Sequence, residues 1–65
     1  MQYVAARLRV RDRAQWLAGQ AGGVQGLQIL GHPDDPTDVI VVGAANQVGD
    51  YLGGETSELL QWILL

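Results

Sequence analysis

Hydrophobic positions recur with a period of two over residues 2–10. Val4, Ala6, Leu8 and Val10 fall on one side, and Tyr3, Ala5, Arg7 and Arg9 on the other. Such alternation predicts a strand whose first set faces a core, while the second suits solvent or the wall of a polar cavity. From residue 12 the period lengthens. Asp12 is a good N-cap, because its carboxylate accepts hydrogen bonds from the free amides of a first helical turn. Ala14, Leu17, Ala18 and Ala21 then repeat at helical spacing, and Gly22-Gly23 stops the helix. Gly19 inside it costs about 1 kcal/mol relative to alanine, so packing rather than propensity has to hold this element. Residues 24–30 predict a second strand, with Gly26 a bulge or a point of close approach.

The centre of the chain is residues 27–43, LQILGHPDDPTDVIVVG, two apolar runs around a break of prolines and aspartates. This reads as two strands joined by a tight, solvated turn at 32–37, the third strand covering 38–43. Val39, Ile40, Val41 and Val42 leave no polar residue on either alternating face, so the strand must be covered on both sides. The chain's own helices can cover one side. A chain of 65 residues has few elements left for a third layer, so the other side calls for a second subunit. Residues 46–52 predict a short helix with Val48, Tyr51 and Leu52 on one face, ended by Gly53-Gly54. Thr56 caps a last segment in which Leu59, Leu60, Ile63 and Leu64 form a helical stripe, with Glu58 favoured in the first turn by the helix dipole. Residues 61–65 stay open between helix and short strand, because apolar runs this short fit both periods.

Composition strengthens the case for assembly. The chain makes one domain, and a domain of this size buries only roughly 60% of its unfolded surface. It has no cysteine, which excludes disulfides and thiolate metal sites. With 48% hydrophobic and 17% charged residues, it carries more apolar surface than one small core hides, and oligomerisation is the remaining remedy. No apolar run approaches the ~20 residues of a membrane span, and residues 1–10 lack the pattern of a signal peptide. A cytoplasmic protein without membrane association is expected. The net charge is −3, and all four basic residues are arginines at positions 7, 9, 11 and 13. A nucleic-acid partner is not expected, since the remaining surface would repel phosphates.

Four groups of residues carry possible chemistry. The arginine stripe is either an anion-binding wall, since the guanidinium fork matches carboxylate and phosphate, or a charge-protected edge strand paired to the acidic residues. His32 with Asp34, Asp35 and Asp38 invites a metal, but the spacing fits neither a calcium loop nor a helical zinc pair. Prolines and aspartates also make turns for conformational reasons alone, so no metal is expected. His32 is the only histidine, and the sequence supplies it with no catalytic partner. Residues 43–49 follow a strand and open a helix, but they lack the glycine pair of a dinucleotide loop and the lysine of a P-loop. No catalytic residue and no cofactor is assigned.

Several of these stretches resemble a known group. Val10-x-Asp12 followed by Trp16, then Gly23-Val24-x-Gly26 leading into Ile29-Leu30, then Pro33-Asp34-Asp35-Pro36-x-Asp38-Val39 are similar to small bacterial proteins of the dimeric α/β-barrel superfamily. Many of these are described as antibiotic-biosynthesis-monooxygenase-like or cyclase-like. Tyr51-Leu52 and Ser57-x-Leu59 look like the second helix and the segment after it. Two departures stand out: the first helix is shorter than usual, and the chain stops where the family adds a fourth strand. The resemblance implies an α+β, ferredoxin-like βαββα domain with an antiparallel sheet, a short or missing fourth strand, and a partner's sheet stacked on its own. Strand 1 would then be a free edge, which residues 62–65 could cover within or between subunits.

The expected function is that of a small homodimer or higher homo-oligomer of dimeric α/β-barrel type, holding a small organic molecule between subunits. Tyr3, Arg7, Arg9, Trp16 and His32 are the candidate ligand-binding residues, and Val39, Val41, Trp62, Ile63 and Leu65 the candidate interface. One alternative is a cofactor-independent monooxygenase or cyclase acting on an aromatic or polyketide-like substrate. The other is a structural protein-interaction module. An enzyme or binder should show a pocket lined by Tyr3, Ala5 and Arg7; an interaction module should show no pocket and an apolar C-terminal patch.

Overall fold

A computed structural model describes residues 2–20, 26–54 and 57–65. In chain order the elements are β1 (Tyr3–Arg9), α1 (Arg13–Gly19), β2 (Leu27–Gly31), β3 (Asp38–Ala44), α2 (Ala45–Gly53) and β4 (Glu58–Leu64). The strands form one antiparallel sheet in the order β2-β3-β1-β4. The domain is therefore α+β, an open four-stranded sheet with two helices, and this arrangement is compatible with a ferredoxin-like fold.

The period-two face of β1 builds the core. Val4, Ala6, Leu8 and Val10 are buried, and β3 sets Gly43, Val41 and Val39 opposite the first three. Val48 of α2 completes the cluster, with Trp16 and Leu17 of α1 and Tyr51 and Leu52 of α2 packed against it. Both helices thus cover the same side of the sheet. The other side carries Tyr3, Ala5, Arg7 and Arg9 of β1 beside Ala44, Val42, Ile40 and Asp38 of β3. Ile40 and Val42 are only half-buried, whereas Val39 and Val41 are fully enclosed.

Two interface positions are corrected here. Val39 and Val41 are core residues under the helices, and the apolar residues that β3 leaves half-buried on the open side are Ile40 and Val42.

The fourth strand is neither short nor missing. β4 has seven residues, as many as β1, and pairs along it with Val4 opposite Leu64 and Arg9 opposite Glu58. An extra residue at Leu60 shifts the register between Arg7 and Leu8. The helical stripe of Leu59, Leu60, Ile63 and Leu64 therefore does not form. The free edge of β1 offers that segment a full ladder, a non-local gain that outweighs its local periodicity. β1 becomes an interior strand, and the tail covers it within the subunit.

Helix α1 starts as expected, with the Asp12 side chain accepting from the Gln15 amide at 3.2 Å. Its inner face differs. Arg13, Trp16, Leu17 and Gln20 are half-buried, while Ala14 and Ala18 are exposed. The large side chains, at i, i+3, i+4 and i+7, take the inward face and leave the alanines in water. Ala21, Gly22, Gly23 and Val24 lie outside the described residues.

Two glycines are required by space or by conformation. Gly26 has φ +86°, a left-handed conformation that side chains disfavour, and a Cβ there would meet the Gln47 side chain at 2.7 Å. Gly43 lies on the core face between Val4 and Leu27. A Cβ at Gly43 would come within 2.5 Å of Leu27 Cδ2 and 3.0 Å of the Gly26 carbonyl. Gly43→Ala is therefore expected to destabilise the fold by about 1–3 kcal/mol through overpacking. Gly49→Ala, in α2 with nothing within 4 Å, is expected to stabilise by roughly 0.5–1 kcal/mol. Urea denaturation of the two variants measures both signs.

Candidate functional site

Three features on the chain's surface are built from the residues that the sequence singles out. The first is a charged cluster at one end of the open sheet face. Asp38 begins β3 directly opposite Arg9 of β1. Its side chain therefore rises on the same face as Arg7 and Arg9, and it is fully buried beneath them. Arg7 Nε donates to Asp38 Oδ2, and Arg9 Nε donates to Oδ1 at 3.4 Å. Arg7 also reaches Asp35 Oδ2 at 3.4 Å. The Thr37 hydroxyl donates toward Asp35 Oδ1 at 2.8 Å and stands 3.1 Å from Asp38 Oδ1.

Two guanidinium groups thus face two carboxylates, and the charges balance. Of the arginine stripe, Arg7 and Arg9 are paired to acidic residues, and they do not guard an edge, because β1 is interior. Burial pushes the Asp38 carboxyl up, but the hydrogen bonds from Arg7, Thr37 and Arg9 outweigh it and hold the group below its ordinary range. The Thr37 amide and then its hydroxyl lower the Asp35 carboxyl, with smaller help from Arg9 and Arg7.

The turn that carries these aspartates is fastened from both ends. His32 Nδ1 accepts from the amides of Asp34 and Asp35, each at 3.1 Å. Arg13, at the start of α1, donates Nη1 to the carbonyls of His32 (3.0 Å), Asp35 (3.2 Å) and Asp38 (3.4 Å). Gly31 leaves room for that guanidinium, since a Cβ would meet Arg13 Nη1 at 3.3 Å. His32 is a turn-shaping acceptor in this arrangement. Among the described residues, no three histidine, aspartate or glutamate side chains are grouped to hold a metal ion.

The second feature is an open groove of about 830 Å³ between the end of β1, the start of α1 and the start of β4. Arg9, Arg11, Asp12, Trp16, Ser57 and Glu58 are among its walls. It brings together Arg9 and Trp16 of the five candidate ligand residues. Tyr3, Arg7 and His32 do not line it. Arg7 joins Arg9 only through the aspartate cluster, and Tyr3 stands half-exposed at the far end of β1.

The third feature is the C-terminal strand. Leu59, Leu60, Trp62, Ile63, Leu64 and Leu65 are all exposed, from 37% at Leu60 to 68% at Leu65. Trp62 and Leu64 share the helix side of the sheet with Ala6 and Val4, while Ile63 shares the open side with Ala5. Sequence reasoning missed Leu59 and Leu60 as exposed strand residues because it gave them a helical stripe, whereas Leu64 falls within the apolar C-terminal patch expected of an interaction module. It also missed Arg13 as the clasp of the turn, for which the only signal is its place immediately after the N-cap. Among the described residues, no helix is long and apolar enough to cross a membrane.

Because both carboxyls titrate lower when folded, the unfolded chain binds more protons as pH falls through the ordinary carboxylate range near about 4. The stability these groups supply is complete above that range and is lost as pH falls through it. Asp38→Ala is expected to lower the urea midpoint more than Asp34→Ala, an exposed position. It should also flatten the acid-side loss of stability, as read from urea midpoints between about pH 5 and about pH 3.

Comparison of the chain with protein-family models, with curated proteins and with solved structures finds no match, so a functional reading rests on the geometry above.

Proposed function

We propose that this protein is an assembly module, a ferredoxin-like subunit of dimeric α/β-barrel type that joins a second copy through the open face of its sheet. One observation carries this reading. β1 and β3 are the two interior strands, and no described element covers the apolar strip of Ala5, Ile40 and Val42 on their open side. Tyr3, Leu30, Ile63 and Leu65 extend that strip and are exposed. Water against such a strip costs roughly 25 cal/mol per Å² of apolar surface, and stacking the same face of a second copy removes that cost symmetrically. The neutral Arg7–Asp38–Arg9–Asp35 cluster at one end gives the strip a polar rim.

The apolar C-terminal patch and a groove that lacks Tyr3, Ala5 and Arg7 favour assembly over catalysis in a closed pocket. A second reading has its own support. The groove has Trp16, Arg9 and Arg11 among its walls together with Asp12 and Glu58, and an aromatic wall with guanidinium groups suits the carboxylate or phosphate of a small organic molecule. Native mass spectrometry of protein purified without denaturation checks both. An oligomer is expected in either case, and an additional small-molecule mass would favour the second.

The open face is tested by a pair of substitutions one residue apart. Val42→Asp is expected to leave the chain folded and to lower its molar mass by removing the face-to-face contact, because its charge points to the side that no described helix covers. Val41→Asp is expected not to fold, because it buries an unpaired charge among Ala6, Leu8 and Val48. Circular dichroism and light scattering read the two outcomes. A Val42→Asp chain that keeps the wild-type molar mass overturns the face-to-face contact.

A further inference from the structure

We infer that β4 is a second self-association site, pairing antiparallel with β4 of another copy about a two-fold axis at Ile63. The inference does not depend on the face-to-face contact. That contact would cover Ile63 and Leu65 but leave Trp62 (40% exposed) and Leu64 (62% exposed) open on the helix side. Apolar residues on both faces of one edge strand call for a contact along the edge itself.

The backbone selects the register. The Leu65 amide donates to the Tyr3 carbonyl at 2.9 Å, so Leu65 and, by alternation, Ile63 turn their backbone groups towards β1. Trp62 and Leu64 must then turn theirs to the outer edge. The extra residue at Leu60 disturbs the strand beyond Gln61, which limits regular pairing to residues 61–65. Within that segment, a two-fold axis at Ile63 puts Trp62 opposite Leu64 of the second copy, and Leu64 opposite its Trp62. Each such pair exchanges both N–H···O bonds. Ile63 meets Ile63 on the open side, and Gln61 meets Leu65.

Every cross-strand pair in this register is neutral, so no like charges oppose each other. The sequence Gln61-Trp62-Ile63-Leu64-Leu65 contains none of the lysines, arginines or prolines that guard exposed edges. Its match to itself in hydrogen bonds, side-chain size and charge identifies the occupant as a second copy of this chain.

The absence of cysteine makes the test clean. Chains carrying Trp62→Cys and Leu64→Cys are mixed and oxidised under native conditions, with Ala14→Cys and Ala18→Cys chains, exposed on α1, as the control mixture. The mixed disulfide, joining position 62 of one chain to position 64 of the other, is expected to exceed both symmetric disulfides several-fold, and Ile63→Cys is expected to link to itself. Residues 62 and 64 stand on the helix side, so face-to-face stacking cannot supply that bond. A yield no higher than the control overturns the inference. Leu64→Pro removes an outward amide that β1 does not use, and it is expected to leave the chain folded while halving the assembly mass. An unchanged mass counts against the edge contact. Should Leu64→Pro not fold, the disulfide yield decides. Adding Val42→Asp to the cysteine chains separates the two contacts. If the mixed disulfide persists, the edge stands by itself. If assembly depends on Val42 and no mixed disulfide forms, the face reading survives and the edge contact falls.

Discussion

The structure depends on covering β3 from one side only. Val39 and Val41 are sealed by two short helices, and Ile40 and Val42 face the other way with no described element above them. An interior strand that is apolar on both faces normally belongs to a three-layer domain. Here the described residues build two layers and leave the third position open. Small size makes this costly, because a domain of this length has little spare burial with which to offset an exposed strip. The proposed association therefore rests on the sheet, before any particular side-chain contact is considered.

The charged cluster gives the same sheet its register. β1 and β3 are rich in similar small apolar residues, and a slip by one residue would exchange their core and open faces. Asp38 resists this. It is satisfied only where Arg7 and Arg9 flank it and Thr37 lies within reach; a slipped strand would carry it beneath the helices without a partner. A buried ion pair often adds little net stability over a hydrophobic pair, so its value here lies in specifying one alignment. The Arg13 clasp on the turn serves the same end, because it fixes where β3 begins relative to α1.

How much of this was legible in the sequence depends on whether the signal was local. The core face of β1, the cap at Asp12, the glycine at 26 and the α2 stripe of Val48, Tyr51 and Leu52 follow from local period, capping and steric freedom, and all appear in the structure. β4 was legible only in part: residues 61–65 were open between helix and strand, and 62–65 could cover the edge of β1. But Leu59, Leu60, Ile63 and Leu64 also satisfy a helical period, and only the vacant edge of β1, distant in sequence, decides against it. The assignment of Val39 and Val41 to an interface erred for a related reason. Alternation shows which residues of 39–42 share a face but not which face the helices take, since both sets are apolar. A tie-breaker was present in Asp38, whose parity with Ile40 and Val42 places all three with Arg7 and Arg9, away from the core.

The two proposed contacts, taken together, have a geometric consequence. A face-to-face contact and an edge-to-edge contact each have their own two-fold axis. If the axes intersect at right angles, the contacts close into a tetramer with dihedral symmetry, and no apolar strand edge remains at β4. If they do not intersect, each added subunit presents a fresh surface and growth continues into a filament. The side chains at Ile63 and Leu65 belong to both the strip and the edge, so the two contacts meet along one strand and their axes are coupled through its twist. The bulge at Leu60 is then more than a local irregularity. A bulge generally bends its strand, so in the proposed assembly it would set the angle between the edge and the face, and with it the choice between a closed particle and an open chain.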